Sequence, residues 1–538
     1  MPTIAQSKKK RKKDKRAVSA EHPSGGSLWK SLPLALAGGV VLGLSAPGIN
    51  QWYLAWVGLV PLLLLIGTSN GARQACLRGL FFGLGYHLVY GSWFLNLQPL
   101  DWLGFGGWVG CLMAAGAWLI LCSQQAVITA IFAFVCRIIP MNGGFLLKKA
   151  TTGFTLPALL VIPLLWVLIH NFICNAHDLM GVPWSELEYT QYKQITLIQA
   201  ASIIGGVGIG FLLVMFNTAL ATLCASIWKQ LAIPMLASAN REQAYYQLLF
   251  TGFLFAMFVG LGVWQSHDET ITPTLQAAIL QGNINIDMQK TKHRYTLEEL
   301  WAHYNELAQQ VPPESLCVMT ESALPVYLRQ EPEMQNTLKT LARQRQLDII
   351  VGALDQDTLN HPYNAAYGVS SDGNVLTEIY HKRYLVPFGE YCPWLVEYLP
   401  AWVKRLTNTP AGGGFTSGKQ PTVLKLEKAS VSPLICFETL SPELASSSVR
   451  AGGQLLVNIS DLAWFHRSIA GDQMIAFSVM RAVENRRYFI FAANTGPSVI
   501  IDNDGNIQDI SNLDKACIVL GKVGLGQHLS PFTRWFAL

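Results

Sequence analysis

The sequence predicts a bundle of about seven membrane-spanning helices followed by an α/β layered domain. Three observations lead there. Only 14% of the 538 residues are charged and 51% are hydrophobic, against about a quarter charged in ordinary soluble domains. Apolar segments near the ~20 residues needed to cross ~30 Å of hydrocarbon recur as far as Trp264. Beyond Thr270 the texture changes to short β-prone runs alternating with helical periodicity. The length exceeds one ordinary domain, so a membrane domain joined to a water-exposed one is the simplest organisation.

Residues 1–27 are polar, basic and aperiodic, and read as a disordered tail too long to be the start of a simple cleaved signal peptide. Lys8, Lys9, Lys10, Arg11, Lys12, Lys13, Lys15 and Arg16 more than account for the net charge of +5. Beside a hydrophobic span, such a block fits the cytoplasmic side and anionic lipid better than nucleic acid. The ten cysteines show no Cys-x-x-Cys and no histidines at metal spacing, so neither a zinc site nor a disulfide framework is indicated.

Residues 28–268 form the expected transmembrane domain, with apolar segments at about 31–47, 52–67, 76–95, 107–137, 154–170, 203–228 and 245–264. Backbone amides find no water in hydrocarbon, which makes these helices. Arg73, Arg137, Lys148, Lys149, Lys229 and Arg241 fall in loops on the side of the basic tail. Asp101, Asp178, Glu186 and Glu188 fall on the other. By the positive-inside rule the N-terminus is cytoplasmic, and an odd number of crossings puts residues 269–538 outside the cytoplasm. Tyr86, His87 and Asn217 within the spans either line a lipid groove or are satisfied locally.

In residues 269–538, strands are expected at 275–284, 316–320, 348–353, 375–380, 431–436, 454–460, 488–494 and 516–520. Helices are expected at 296–310, 331–346, 441–451 and 469–486, with Pro332 and Pro442 in first turns. Three of the strand runs end on reactive side chains. Met319-Thr320-Glu321 delivers a carboxylate, Tyr380-His381-Lys382 a lysine, and Leu434-Ile435-Cys436-Phe437-Glu438 a thiol and a further carboxylate. Taken singly they could be a helix-terminal charge, a surface ion pair with Glu390 and core packing.

Taken together, in the order Glu, Lys, Cys, they resemble the carbon–nitrogen hydrolase (nitrilase) superfamily. The stretch Lys382-Arg383-Tyr384-Leu385-Val386-Pro387-Phe388-Gly389-Glu390 resembles more narrowly the apolipoprotein N-acyltransferases, as does Gly181-Val182-Pro183-Trp184 followed by Tyr189, a loop that reads equally as an interfacial one with aromatic anchors. The resemblance implies a four-layer α-β-β-α sandwich without cofactor or metal. It implies that Cys436 is the nucleophile, Glu321 the general base and Lys382 the stabiliser of the tetrahedral intermediate. Glu390 and Glu438 would assist, and the amide of Phe437 is a candidate oxyanion donor. It further implies a phospholipid acyl donor, a thioester acyl-enzyme and transfer to the α-amino group of a diacylglyceryl-modified N-terminal cysteine, in the bacterial inner membrane. Trp394 and Trp402, with Trp464 and Phe465, would either touch the acyl chain from a mobile arm resting on the bilayer or pack as core. Lys290, Phe437 and Asp461-Leu462 depart from the residues usual in that family (Trp, Tyr and Asn-Asp), and the chain stops without the closing helix of some members. A membrane-tethered amidase using water as acceptor is the alternative within enzymes, and a transporter or scaffold with an inactive domain the alternative outside them.

Overall fold

The computed structural model describes residues 28–97, 100, 106–150, 153–174, 183–228, 236, 240–267, 273–284, 295–387, 389–391 and 414–535. The basic tail, Lys290, Trp394 and Trp402 lie outside them.

Each anticipated apolar segment contains helix: α1 (Leu28–Gly43), α2 (Val60–Gly67), α3 (Ala72–Tyr90), α4 (Gly107–Ile138), α5 (Ala158–Cys174), α6 (Ala201–Ile227) and α7 (Arg241–His267). By length and composition α4, α6 and α7 can cross a membrane. The second segment is broken into a 3-10 turn over Trp52–Trp56 and α2. The fifth begins as strand. Its residues Gly153–Pro157 (β3) join Met141–Asn142 (β1) and Lys148–Ala150 (β2) in a small sheet, and helix starts only at Ala158. Arg78 is buried on α3, where it donates to the Leu65 carbonyl at 2.6 Å and to the hydroxyls of Ser31, Thr68 and Ser69. Those bonds satisfy the guanidinium and the C-terminal end of α2 together.

Tyr86, His87 and Asn217 are buried ties and not a lipid path. Tyr86 donates to the Ser185 carbonyl at 2.7 Å, His87 Nδ1 meets Ser185 Oγ at 3.1 Å, and Asn217 bonds Leu59, Ala55 and Leu213. α6 bends at Gly205, whose φ of +70° is open to glycine and strained for other residues. A Cβ there would also meet the Phe532 ring at 2.4 Å. The bend frees the Gly206 amide, which donates to Glu484 Oε1 at 2.8 Å.

The second half carries β4 (Thr274–Gln281), α8 (Leu297–Ala308), β5 (Leu316–Met319), β6 (Leu324–Tyr327), α9 (Pro332–Arg345), β7 (Asp348–Gln356), β8 (Pro362–Val369) and β9 (Tyr380–His381). There follow β10 (Leu424–Lys425), β11 (Ser430–Ile435), α10 (Pro442–Arg450), β12 (Leu455–Ser460), α11 (Ala470–Asn485), β13 (Phe489–Ala493), β14 (Val499–Ile501), β15 (Ile507–Ile510), β16 (Cys517–Gly524) and α12 (Pro531–Trp535). One sheet runs β16-β4-β5-β7-β8-β9 with β6 beside β7, the other β10-β11-β12-β13-β14-β15. The central strands β4, β5 and β7 are parallel, as are β11, β12 and β13.

Alternate residues of these strands build separate cores, as a pleat demands. Ile279, Val318 and Ile350 meet Val431, Val457 and Ile490 between the sheets. Leu280, Met319 and Val351 face Tyr304 of α8 and Leu338 of α9. Leu434, Leu456 and Phe491 face α10 and α11, in a core that runs on into Phe82, Trp93 and Trp184 of the first half. The layers are therefore helix, sheet, sheet, helix, with the apolar helices as a further layer against α11. α11 is buried on every side from Gln473 to Asn485, which is why its apolar residues show no single stripe.

One expected strand is corrected and one strand is new. Residues 375–379 do not form a strand, and β9 is only Tyr380–His381. The unexpected β8 fills that place, because packing between β7 and β9 overrides the weak strand propensity of Pro362, the two alanines and Gly368.

Charged groups seal the junction with α11. Arg481 and Glu484 form a bidentate pair at 2.6 and 2.8 Å, both buried. Removing one partner of such a pair costs about 3–5 kcal/mol by leaving the other uncompensated. Arg481→Met is expected to lower the unfolding temperature in detergent accordingly. Adding Glu484→Gln, which keeps an acceptor for the Gly206 amide, should recover part of the loss. An unchanged melting temperature in the single variant would contradict this packing.

Candidate active site

β11 ends at Ile435 and the chain turns through a 3-10 segment, Cys436–Leu440. Cys436 has φ +53°, a left-handed conformation that costs a non-glycine residue on the order of 1–3 kcal/mol. Two side chains hold it there. Asn458 Nδ2 donates to the Cys436 carbonyl at 3.0 Å and to Thr439 Oγ1 at 2.7 Å. Glu438 is fully buried and accepts four bonds: from Tyr380 OH (2.7 Å) and the Ile435 amide (2.7 Å) on one oxygen, and from the Arg383 (2.6 Å) and Tyr384 (3.1 Å) amides on the other. The carboxylate thus ties the turn bearing Cys436 to the strand end bearing Lys382.

Lys382 follows β9 and is 1% exposed. Its Nζ lies 2.8 Å from Glu390 Oε1 and 3.2 Å from Glu321 Oε1. Asn364, on β8, donates through one nitrogen to both carboxylates, at 2.8 Å to Glu321 Oε1 and 2.9 Å to Glu390 Oε1. The other Glu390 oxygen accepts from the Val386 amide at 2.8 Å, and the other Glu321 oxygen from the Asp461 amide at 2.9 Å. Glu321 leaves β5 in a tight turn against Gly352 of β7. A Cβ at Gly352 would sit 2.4 Å from the Thr320 carbonyl and 2.8 Å from Glu321 Cα, so the approach requires glycine.

Burial alone would lower the Lys382 pKa, but the Glu321 and Glu390 carboxylates outweigh it and hold the ammonium well above its usual range. Lys382 therefore stays charged across physiological pH. The Cys436 thiol is pushed up by burial first and by Glu321 next, with Lys382 and Ser460 pulling the other way. At rest it is a protonated thiol within the fields of Glu321, Lys382 and Glu390, a set able to pass a proton from sulfur to carboxylate beside a fixed positive charge.

Phe437 turns towards the apolar helices, with its ring 5.0 Å from Trp184 and stacked 6.3 Å over Phe465. Phe465 is buried and also meets Trp93 at 4.9 Å, so it belongs to the core beside the site. Trp464 is 37% exposed. Trp184 is buried and donates to Gln473 of α11, which makes the Pro-Trp loop a seat for the catalytic half. Asn364 and Asn458 went unread in the sequence. Asn458 stands in an apolar strand run, where a lone asparagine is the signal that could have found it, whereas Asn364 lies between Pro362 and Gly368 and gave none.

Asp461 is the acidic departure noted above. Its Oδ1 accepts from the Ala463 amide at 3.1 Å and from Asn494 at 3.2 Å, and burial first, with Glu321 adding, raises its pKa to about 7. Between the unfolded value of 3.8 and about 7 the unfolded chain has released this proton and the folded one has not. Stability contributed by Asp461 therefore falls as pH rises through that window and is flat above it. Asp461→Asn keeps the accepting oxygen without the titration. It is expected to match the native melting temperature near pH 4 and to exceed it by pH 8. A difference that does not open with pH would contradict this.

The chain is similar to known proteins along most of its length. A family described as apolipoprotein N-acyltransferase N-terminal domain matches residues 38–219, and the carbon-nitrogen hydrolase family matches residues 276–523. An apolipoprotein N-acyltransferase of Geobacter metallireducens is 33% identical over 516 residues, covering 93% of this chain and 91% of its own. One from Gloeobacter violaceus is 26% identical over 504 residues, covering 93% and 89%. A solved nitrilase-superfamily structure from Saccharomyces cerevisiae aligns with 48% of this chain and 92% of its own at 14% identity, with a TM-score of 0.36, too low to bear on the argument. With a relative of that identity spanning nearly its whole length, and a carbon-nitrogen hydrolase domain behind its apolar helices, the chain belongs to the apolipoprotein N-acyltransferase family of membrane acyltransferases.

Proposed function

We propose that the enzyme moves an acyl chain from a phospholipid to the α-amino group of a diacylglyceryl-modified N-terminal cysteine, in two half-reactions through a thioester on Cys436. The observation that carries the reading is the buried Lys382 ammonium, shared by Glu321 and Glu390 beside the Cys436 thiol.

In the first half-reaction Glu321 takes the thiol proton and the sulfur attacks the ester carbonyl. Lys382, with the Phe437 amide as second donor, meets the charge that develops on the carbonyl oxygen. Collapse breaks the ester bond, and Glu321 returns the proton to the leaving lysophospholipid oxygen. In the second half-reaction the free amine attacks the thioester, Glu321 accepts its proton, and collapse forms the amide and restores the thiol. No co-reactant is needed. Glu390 and Asn364 fix the lysine and the base, and Glu438 fixes the turn. Trp394, Trp402 and Trp464 are the aromatic side chains that would cover the acyl chain.

Residues 28–268 would sit in the bacterial inner membrane with the N-terminus cytoplasmic, and residues 269–538 would face the extracytoplasmic side. The seat of Phe437 on Trp184 supports this reading, because it puts the reactive turn next to the apolar helices from which a two-chain lipid would arrive.

Acceptor use tests the reading. Incubated with phospholipid and a diacylated lipopeptide bearing a free amine, the native enzyme should release lysophospholipid and add one acyl mass to the peptide. Cys436→Ala should do neither. Glu321→Gln should slow both by at least about 10²-fold, the usual contribution of a positioned base. Free fatty acid with unmodified peptide would identify a hydrolase that uses water instead.

A further inference from the structure

Ser460 is the last residue of β12, and its hydroxyl goes unused in the scheme above. The parallel register pairs Ile435, the last residue of β11, with Ile459, which brings Ser460 at the end of β12 next to the turn that begins with Cys436. Pairing of Ser460 with Ala493, and the Asn494 amide donating to the Ser460 carbonyl at 3.1 Å, fix the backbone from the other side. The side chain is fully buried, and Oγ makes no hydrogen bond to any nitrogen or oxygen among the described residues. The end of β12 adjoins the turn that carries Cys436, which brings that thiol within reach of the hydroxyl.

A buried hydroxyl without a partner carries a desolvation cost. A neutral thiol is a weak acceptor and does little to offset it, whereas a thiolate is a strong one. We propose that Ser460 is a catalytic residue whose hydroxyl donates to the Cys436 sulfur when that sulfur is ionised. The inference rests on Cys436 as the nucleophile.

The charged groups around the sulfur explain why such a donor is needed. Glu321 and Glu390 oppose a negative charge there, and Lys382, which favours it, already has bonds to both carboxylates at 3.2 and 2.8 Å. Glu438 is fully engaged by the Tyr380 hydroxyl and three backbone amides. The serine adds a directional donor without adding charge. It keeps its own proton, since the thiol proton goes to Glu321. The same bond would serve twice, favouring ionisation before attack on the ester and stabilising the sulfur as leaving group when the amine displaces it.

The pH dependence of Cys436 alkylation by iodoacetamide tests this, read by mass spectrometry of the peptide bearing that residue in full-length enzyme held in detergent. Ser460→Ala is expected to slow alkylation at pH 8 by about 10- to 100-fold, the worth of a hydrogen bond to a charged group. Its midpoint should move up by about one to two pH units, while the melting temperature holds or rises because an unpartnered polar group has gone. Ser460→Thr should restore most of the rate. An alanine variant with the native alkylation profile would overturn the proposal. Should that variant fail to fold, Ser460→Val against Ser460→Thr gives the same comparison at matched shape, and equal rates would overturn it. If Cys436→Ala leaves acylation of the lipopeptide at the native rate, the nucleophile assignment itself fails, an outcome distinct from failure at Ser460 alone.

Discussion

A buried ammonium between two buried carboxylates is the constraint on which the rest of the site depends. Lys382 could not remain charged at 1% exposure without Glu321 and Glu390, and the two carboxylates could not share that space without Lys382. Such a cluster tolerates little displacement, because a separation of an ångström or two leaves charges stranded in a medium of low dielectric. The surrounding hydrogen bonds follow from that intolerance. Asn364 spans both carboxylates, and the Val386 and Asp461 amides each take the remaining oxygen of one of them.

The two sheets meet at this cluster. Glu321 and Lys382 come from one sheet, Cys436 and Asp461 from the other, and Glu438 bonds to both through Tyr380 and Ile435. The strained φ at Cys436 persists because Asn458 and Glu438 over-determine the turn. On the far side of the second sheet, α11 carries the arrangement into the apolar helices. Arg481 with Glu484, Gln473 with Trp184, and Arg486 with Gln199 and the Gly262 carbonyl are its polar seams. The catalytic half is thus built onto the membrane half, with a continuous core between them.

Much of this was legible in the sequence, for identifiable reasons. Glu321, Lys382 and Cys436 each close an apolar strand run, and a reactive side chain at a strand end is visible in local pattern. Charge-poor segments of the right length likewise announce helices in hydrocarbon. Features set by packing between distant segments were not legible. β8 carries Pro362, alanines and Gly368 and shows no strand pattern, yet it lies in the sheet between β7 and β9, and Asn364 upon it is the clamp of the site. Trp184 and Phe465 read equally well as membrane-facing aromatics, and their burial follows from contacts with α11 and Trp93 that no local window contains. Ser460 is a small polar residue at the end of an apolar strand, and its neighbour is set by register with a strand more than twenty residues away.

Intact-protein mass spectrometry after brief incubation with phospholipid alone, with no acceptor present, tests the central claim most directly. The account predicts a mass gain of one acyl chain, mapped to Cys436 and released by hydroxylamine or by an amine-bearing lipopeptide. A gain mapped to another residue, or lipopeptide acylation proceeding at full rate in a protein that never carries the adduct, would contradict it.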